Sequence, residues 1–159
     1  AVRDCGGLDT AINLVSVDAD RLDALETYED VEALAAETLL MPLRLTEVAA
    51  NRMRLVWTEG LVLNVIHVRG GRGGGRAMMF ADVLRAMLAD MTRGLAEQWA
   101  EHGIRVNAVG PPSSVAAVGG AGSASDADLA RVALELVSAK GRHVSGHVLD
   151  AEDAARQWC

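Results

Sequence analysis

No run of about 18 apolar residues occurs in the chain, so a membrane-spanning helix is not expected. No charged start followed by an apolar core marks a secretory signal either. Cysteine is nearly missing. Cys5 and Cys159 stand one near each end, outside any C-x-x-C or Cys/His metal spacing, so free thiols are expected and a disulfide framework or structural zinc is not. His143-x-x-x-His147 suits a metal pair only on a helix, and Val144, Ser145 and Gly146 between the two argue against one, so no metal site is expected. Positive charge is in deficit: 15 Lys and Arg face 22 Asp and Glu, a net charge of -7, which argues against general affinity for nucleic acid or an anionic membrane. A cytoplasmic protein is the expectation.

Half of the 159 residues are apolar, enough for residues 1–159 to form a single domain with its own core. Ala11-Ile-Asn-Leu-Val-Ser-Val17 and Leu61-Val-Leu-Asn-Val-Ile-His-Val68 are short apolar runs of strand character, with Val106–Val109 and His147–Leu149 as weaker candidates. All four read as interior parallel strands. Helical patterns lie between them: Val31 to about Met53, Ala77 to His102, and Asp126 to Ala139 after a cap at Ser125 or Asp126. Pro42 is expected to bend the first long helix, which then resumes. Strand and helix alternate, which makes this an α/β chain with a parallel sheet of about four strands and helices on both faces.

Two segments break the pattern. Arg69-Gly-Gly-Arg-Gly-Gly-Gly-Arg76 and Gly110 to Ser125 are rich in Gly, Pro and Ser and are expected to be flexible loops. Each follows a strand, which places them where open parallel sheets bind ligands. In the second long helix Phe80, Leu84, Leu88, Met91, Leu95 and Trp99 form one stripe at helical spacing, the pattern of a face buried in the core.

Ala89-Asp-Met-Thr-Arg-Gly-Leu-Ala-Glu-Gln-Trp-Ala-Glu-His-Gly-Ile-Arg-Val-Asn-Ala-Val109 resembles the short-chain dehydrogenase/reductase family, in which a long helix leads through H-G-I-R-V-N into a strand. The resemblance extends back to Gly7-Leu-Asp9 and forward to Val144-Ser-Gly-His-Val-Leu149, similar to the family's V-T-G-Q-x-L. It implies a partial Rossmann-like, doubly wound sheet that lacks the N-terminal nucleotide-binding half, since the chain begins at Ala1 where the family's fourth strand is approached. It also implies where the family's proton-transfer residues belong. In Ala36–Thr46, similar to V-N-L-x-x-x-F-x-L-T, the Asn position holds Thr38; in Asn64–His67, similar to N-I-S-S, the Ser position holds His67. In Arg85–Thr92, similar to K-A-x-L-x-x-L-T, the Lys position holds Arg85 and the Tyr position Ala81. Counting across the glycine-rich loop instead gives Phe80 and Leu84, and neither register restores Tyr or Lys.

Carbonyl reduction needs an acid near pH 7 to protonate the developing alkoxide, and a Tyr serves when a nearby Lys lowers its pKa. Ala81 has no proton to give. Arg85 keeps a cation one turn along but does not replace the acid, and a lone helical Arg is more often solvated. Imidazole acts as a general base, so His67, expected at a strand end facing the cleft, is the replacement with chemical promise. Thr38 reads as a helix residue. Of the family's cofactor contacts, Asn13 keeps one Asn of N-N-A-G, and Pro111 keeps the Pro of its Pro-Gly turn with Pro112 in place of the Gly. No cofactor is expected, and NAD(P) only if an N-terminal half is supplied.

The expected function is therefore that of a degenerate family member, an assembly or structural partner without dehydrogenase activity. It is expected to be a homo-oligomer, or a hetero-oligomer with an active relative, joined through its two long helices and through the exposed apolar edge of Ala11–Val17. Two enzyme readings stay beside it: an NAD(P)-dependent oxidoreductase completed by the missing half, or a redeployed site using His67 beside Arg85. A third, an anion or nucleic-acid binder through Arg69–Arg76, is weakened by the absence of a Lys-Ser/Thr pair, of interleaved aromatics and of overall basic charge.

Overall fold

The computed structural model describes residues 7–18, 21–22, 24–69, 75–111 and 126–150. In chain order its elements are β1 (Thr10–Asp18), α1 (Tyr28–Leu55), β2 (Gly60–Arg69), α2 (Gly75–Trp99), β3 (Ile104–Gly110), α3 (Asp126–Val137) and β4 (Val148–Asp150). The four strands form one parallel sheet in the order β1-β2-β3-β4. The α/β reading holds: β2 and β3 are interior and β1 is an edge, as expected for Ala11–Val17, while β4, read as interior, is the other edge of the sheet formed by the described residues.

Local chemistry sets the element boundaries. α1 starts three residues before the expected Val31 because Thr27 and Asp30 form a capping box. The Thr27 hydroxyl accepts from the Asp30 amide at 3.1 Å, and the Asp30 carboxylate accepts from the Thr27 amide at 2.9 Å. The helix stays continuous across Pro42, which is buried within it. α2 ends at Trp99, and residues Ala100–His102 tighten into a 3-10 turn closed by Gly103 at φ 69, a left-handed conformation that glycine adopts freely. Both expected loops are shorter than read. Pairing of Asp18 with Arg69 carries β2 through Arg69, and Gly75 and Arg76 already belong to α2. Gly110 completes β3. Residues 70–74 and 112–125, with the possible cap Ser125, lie outside the described residues.

α1 and α2 cover one face of the sheet and α3 the other. Beneath α1 and α2, Val17 and Ile66 pack with Leu34, Leu39, Phe80, Leu84, Leu88 and Ala108. Further along the same face, Val62, Ile104 and Val106 meet Ala50, Met53, Leu95 and Trp99. The expected apolar stripe of α2 is thus core. On the opposite face Leu61, Leu63, Val65 and Val109 pack against Val132 and Leu136 of α3. Asn107, fully buried, ties the segment before β4 to β3: its amide donates to the Val144 carbonyl at 2.8 Å, and its oxygen accepts from the His147 amide at 3.2 Å. Arg105 donates to the carbonyls of Leu136, in the last turn of α3, and of Gly141, in the 3-10 turn Ala139–His143 that follows, at 3.2 and 2.6 Å. Among the described residues no helix is long and apolar enough to cross a membrane.

Candidate active site

The family positions are distributed over both faces of the sheet. Thr38 is buried in α1 with its hydroxyl donating to the Leu34 carbonyl one turn back at 2.7 Å, so the helix backbone uses the one proton it has. Ala81 is buried beside Phe80. Its methyl group leaves nothing titratable where a proton donor would stand.

His67 lies near the carboxyl end of β2, half-buried, with Ser16 as its register partner on β1. Strand residues alternate faces. Leu61, Leu63 and Val65 pack against α3 while Val62 and Ile66 lie under α1 and α2, so the alternation turns His67 to the α3 face. Thr38, Ala81 and Arg85 belong to the α1 and α2 layer. The strand-end position matches expectation; the pairing of His67 with Arg85 receives no support from the geometry.

Arg85 is where the structure departs furthest from the sequence reading. It is not solvated. Its guanidinium donates to the Pro111 carbonyl at 2.8 Å and forms an ion pair with Asp150, both side chains being only 20% exposed. The pair joins α2 to the carboxyl ends of β3 and β4. A guanidinium stays protonated and has no acceptor, and one already neutralised by a carboxylate has little charge left for an anion. The arrangement is a clamp in which acceptors of the chain itself hold the guanidinium. Asp150 had no signal in the sequence beyond being an acidic residue at the end of a strand.

Asn13, expected at the cofactor, is also engaged inside the chain. Its amide donates to the Asn64 oxygen at 2.8 Å, and the fully buried Asn64 donates to the Thr46 hydroxyl at 3.0 Å. This polar chain links β1, β2 and α1 through the core, and each member satisfies another. Sequence reasoning missed Asn64 and Thr46 as its partners. Asn13, Arg85 and the Pro111 carbonyl are thus each bonded within the chain, and as they stand they do not fit a bound dinucleotide. Among the described residues no group of three or more His, Cys, Asp and Glu side chains is arranged to hold a metal ion.

The family model described as "Enoyl-(Acyl carrier protein) reductase" matches residues 1–122. FixR of Bradyrhizobium diazoefficiens is 33% identical over 93 residues, which is 58% of this chain and 33% of FixR. A short chain dehydrogenase from Mycobacterium smegmatis superposes with a TM-score of 0.69 at 27% identity, covering 94% of this chain and 60% of that one. YwfH, an NADPH dependent reductase involved in bacilysin biosynthesis, shares the fold at 21% identity and a TM-score of 0.66, over 94% of this chain and 66% of its own. The chain therefore spans less than two thirds of these relatives, and by its family match over residues 1–122 it belongs to the short-chain dehydrogenase/reductase family.

Proposed function

We propose that this chain is a non-catalytic short-chain dehydrogenase/reductase-like protein that works as an assembly partner, of itself or of an active relative. The observation that carries the reading is the use of Arg85. The one cation left on the family's Tyr-Lys helix face is closed by Asp150 and the Pro111 carbonyl, while the position one turn before it is the methyl group of Ala81. Transfer of hydride to a carbonyl leaves an alkoxide that has no donor there. The exposed apolar side chains on β1 and α1 support the assembly part: Ile12 and Leu14, then Met41, Leu45 and Val48. Titration with NADH and with NADPH, followed by cofactor fluorescence, tests it. No saturable binding is expected into the millimolar range, the upper end of typical Michaelis constants; saturation in the micromolar range overturns the reading.

A second reading has one observation in its favour. The matched structures are longer than this chain, and family members such as YwfH are NADPH dependent reductases, so an N-terminal half bearing a glycine-rich strand-turn-helix would restore a dinucleotide site. Fusing such a half to this chain and finding turnover would favour an NAD(P)-dependent oxidoreductase over the assembly partner.

A further inference from the structure

In a chain whose net charge is -7, basic side chains gather at one place. Arg105 stands at the amino end of β3, at the opposite end of the sheet from the Arg85 clamp. Its neighbours Ile104 and Val106 lie under α1 and α2, so strand alternation turns Arg105 to the α3 face. There its Nη1 donates to the carbonyls of Leu136 and Gly141, the latter directly preceding Arg142. Lys140, Arg142 and His143 all belong to the 3-10 turn Ala139–His143.

Cations at the carboxyl end of a helix are ordinarily explained by the helix itself, whose free carbonyls amount to a charge of about -0.5. That explanation is too small here. Lys140 pairs with Glu135 at 3.9 Å, but neither Arg105 nor Arg142 forms an ion pair with a carboxylate of the described residues. With the helix end and Glu135 set against Arg105, Lys140 and Arg142, about 1.5 positive charges stay uncompensated. Burial, and after it the charge of Arg142, hold the Arg105 guanidinium below its ordinary value, so the two cations are near enough to repel. The two carbonyls engage the hydrogens of Arg105 Nη1, while those on Nε and Nη2 meet no acceptor among the described residues.

We infer that Arg105, Arg142 and Lys140 form a binding site for a phosphate monoester, where α3, the 3-10 turn and the amino end of β3 meet. A monoester phosphate carries a charge of about -1.5 to -2 at pH 7, which matches the excess, and its oxygens accept from planar guanidinium forks. A phosphodiester brings a single negative charge and leaves part of the excess standing. Arg105, half-buried and fixed by its two carbonyls, supplies the rigid donor; Arg142 and Lys140, both exposed, close around the anion. The site shares no residue with the Arg85 clamp or with β1, so it stands whether or not the chain is an assembly partner.

Isothermal titration calorimetry with inorganic phosphate and with glycerol 3-phosphate, at constant ionic strength set by sodium chloride, tests the site. Glycerol 3-phosphate is expected to saturate with a Kd of about 1 mM or tighter. Equal affinity for the two probes marks free phosphate as sufficient, and tighter binding of the ester marks an organic phosphate; either supports the site. Arg142→Gln, at a side chain that bonds nothing among the described residues, should weaken binding at least about tenfold without lowering Tm in the absence of phosphate. Arg131→Gln, at a cation of α3 that pairs with Asp128, should leave the affinity as it is. Failure of the ester to saturate at about ten times the expected Kd, or binding that Arg142→Gln leaves unaltered, overturns the assignment.

Discussion

At the scale of single residues, the clamp of Arg85 with Asp150 and the Pro111 carbonyl sets what this site can do. Its contribution is structural and therefore measurable as stability. Removing one partner of a partly buried charge pair strands the other, so Arg85→Ala and Asp150→Ala should each lower unfolding free energy by about 1–3 kcal/mol. The double variant should cost clearly less than the sum in a denaturant double-mutant cycle. Additive losses would show that the two residues act separately. The sequence offered Arg85 but not its partner, because the two are 65 positions apart and meet only when β4 adds to β3 in register. His67 was found at its strand end, yet its face was not legible. β2 is apolar on both sides, Leu61, Leu63 and Val65 on one and Val62 and Ile66 on the other, and a strand buried on both faces shows no alternation to read.

At the scale of elements, boundaries were legible where a cap or turn residue announces them and lost where pairing decides. Thr27-x-x-Asp30 announces the start of α1, although apolar periodicity alone placed that start at Val31. The capping box also makes a pH prediction. Hydrogen bonds from the Thr27 backbone and side chain, then from the Glu26 backbone, hold the Asp30 carboxyl below its ordinary value. A lowered native pKa means that the carboxylate stabilises the fold above the unfolded value of about 4 and that this is lost as pH falls through the native value. Asp30→Ala should therefore be less stable than wild type at neutral pH, and the gap should narrow as pH drops below about 4. An unchanged gap in denaturant titrations at the two pH values would contradict the capping role. The ends of the glycine-rich segment were misread for another reason: Arg69 joins β2 by pairing with Asp18 across the sheet, which no local pattern encodes.

At the scale of the whole molecule, a parallel α/β sheet with helices on both faces was legible from the alternation of apolar runs, and the family from the residues between Ala89 and Val109. Which apolar side chains are exposed among the described residues was only partly legible, since exposure of Ile12, Leu14 and Val48 depends on which elements cover them. A protein stabilised by association unfolds at a temperature that depends on its concentration. The midpoint should rise by several degrees over about a hundredfold increase in protein, read by calorimetry; a constant midpoint would show that each chain is stable alone. The central claim, that this family member no longer transfers hydride, is tested most directly by following oxidation of NADH and NADPH by the pure chain against a panel of carbonyl substrates. No rate above the protein-free control is predicted, and a saturable rate that disappears in Arg85→Ala would contradict it.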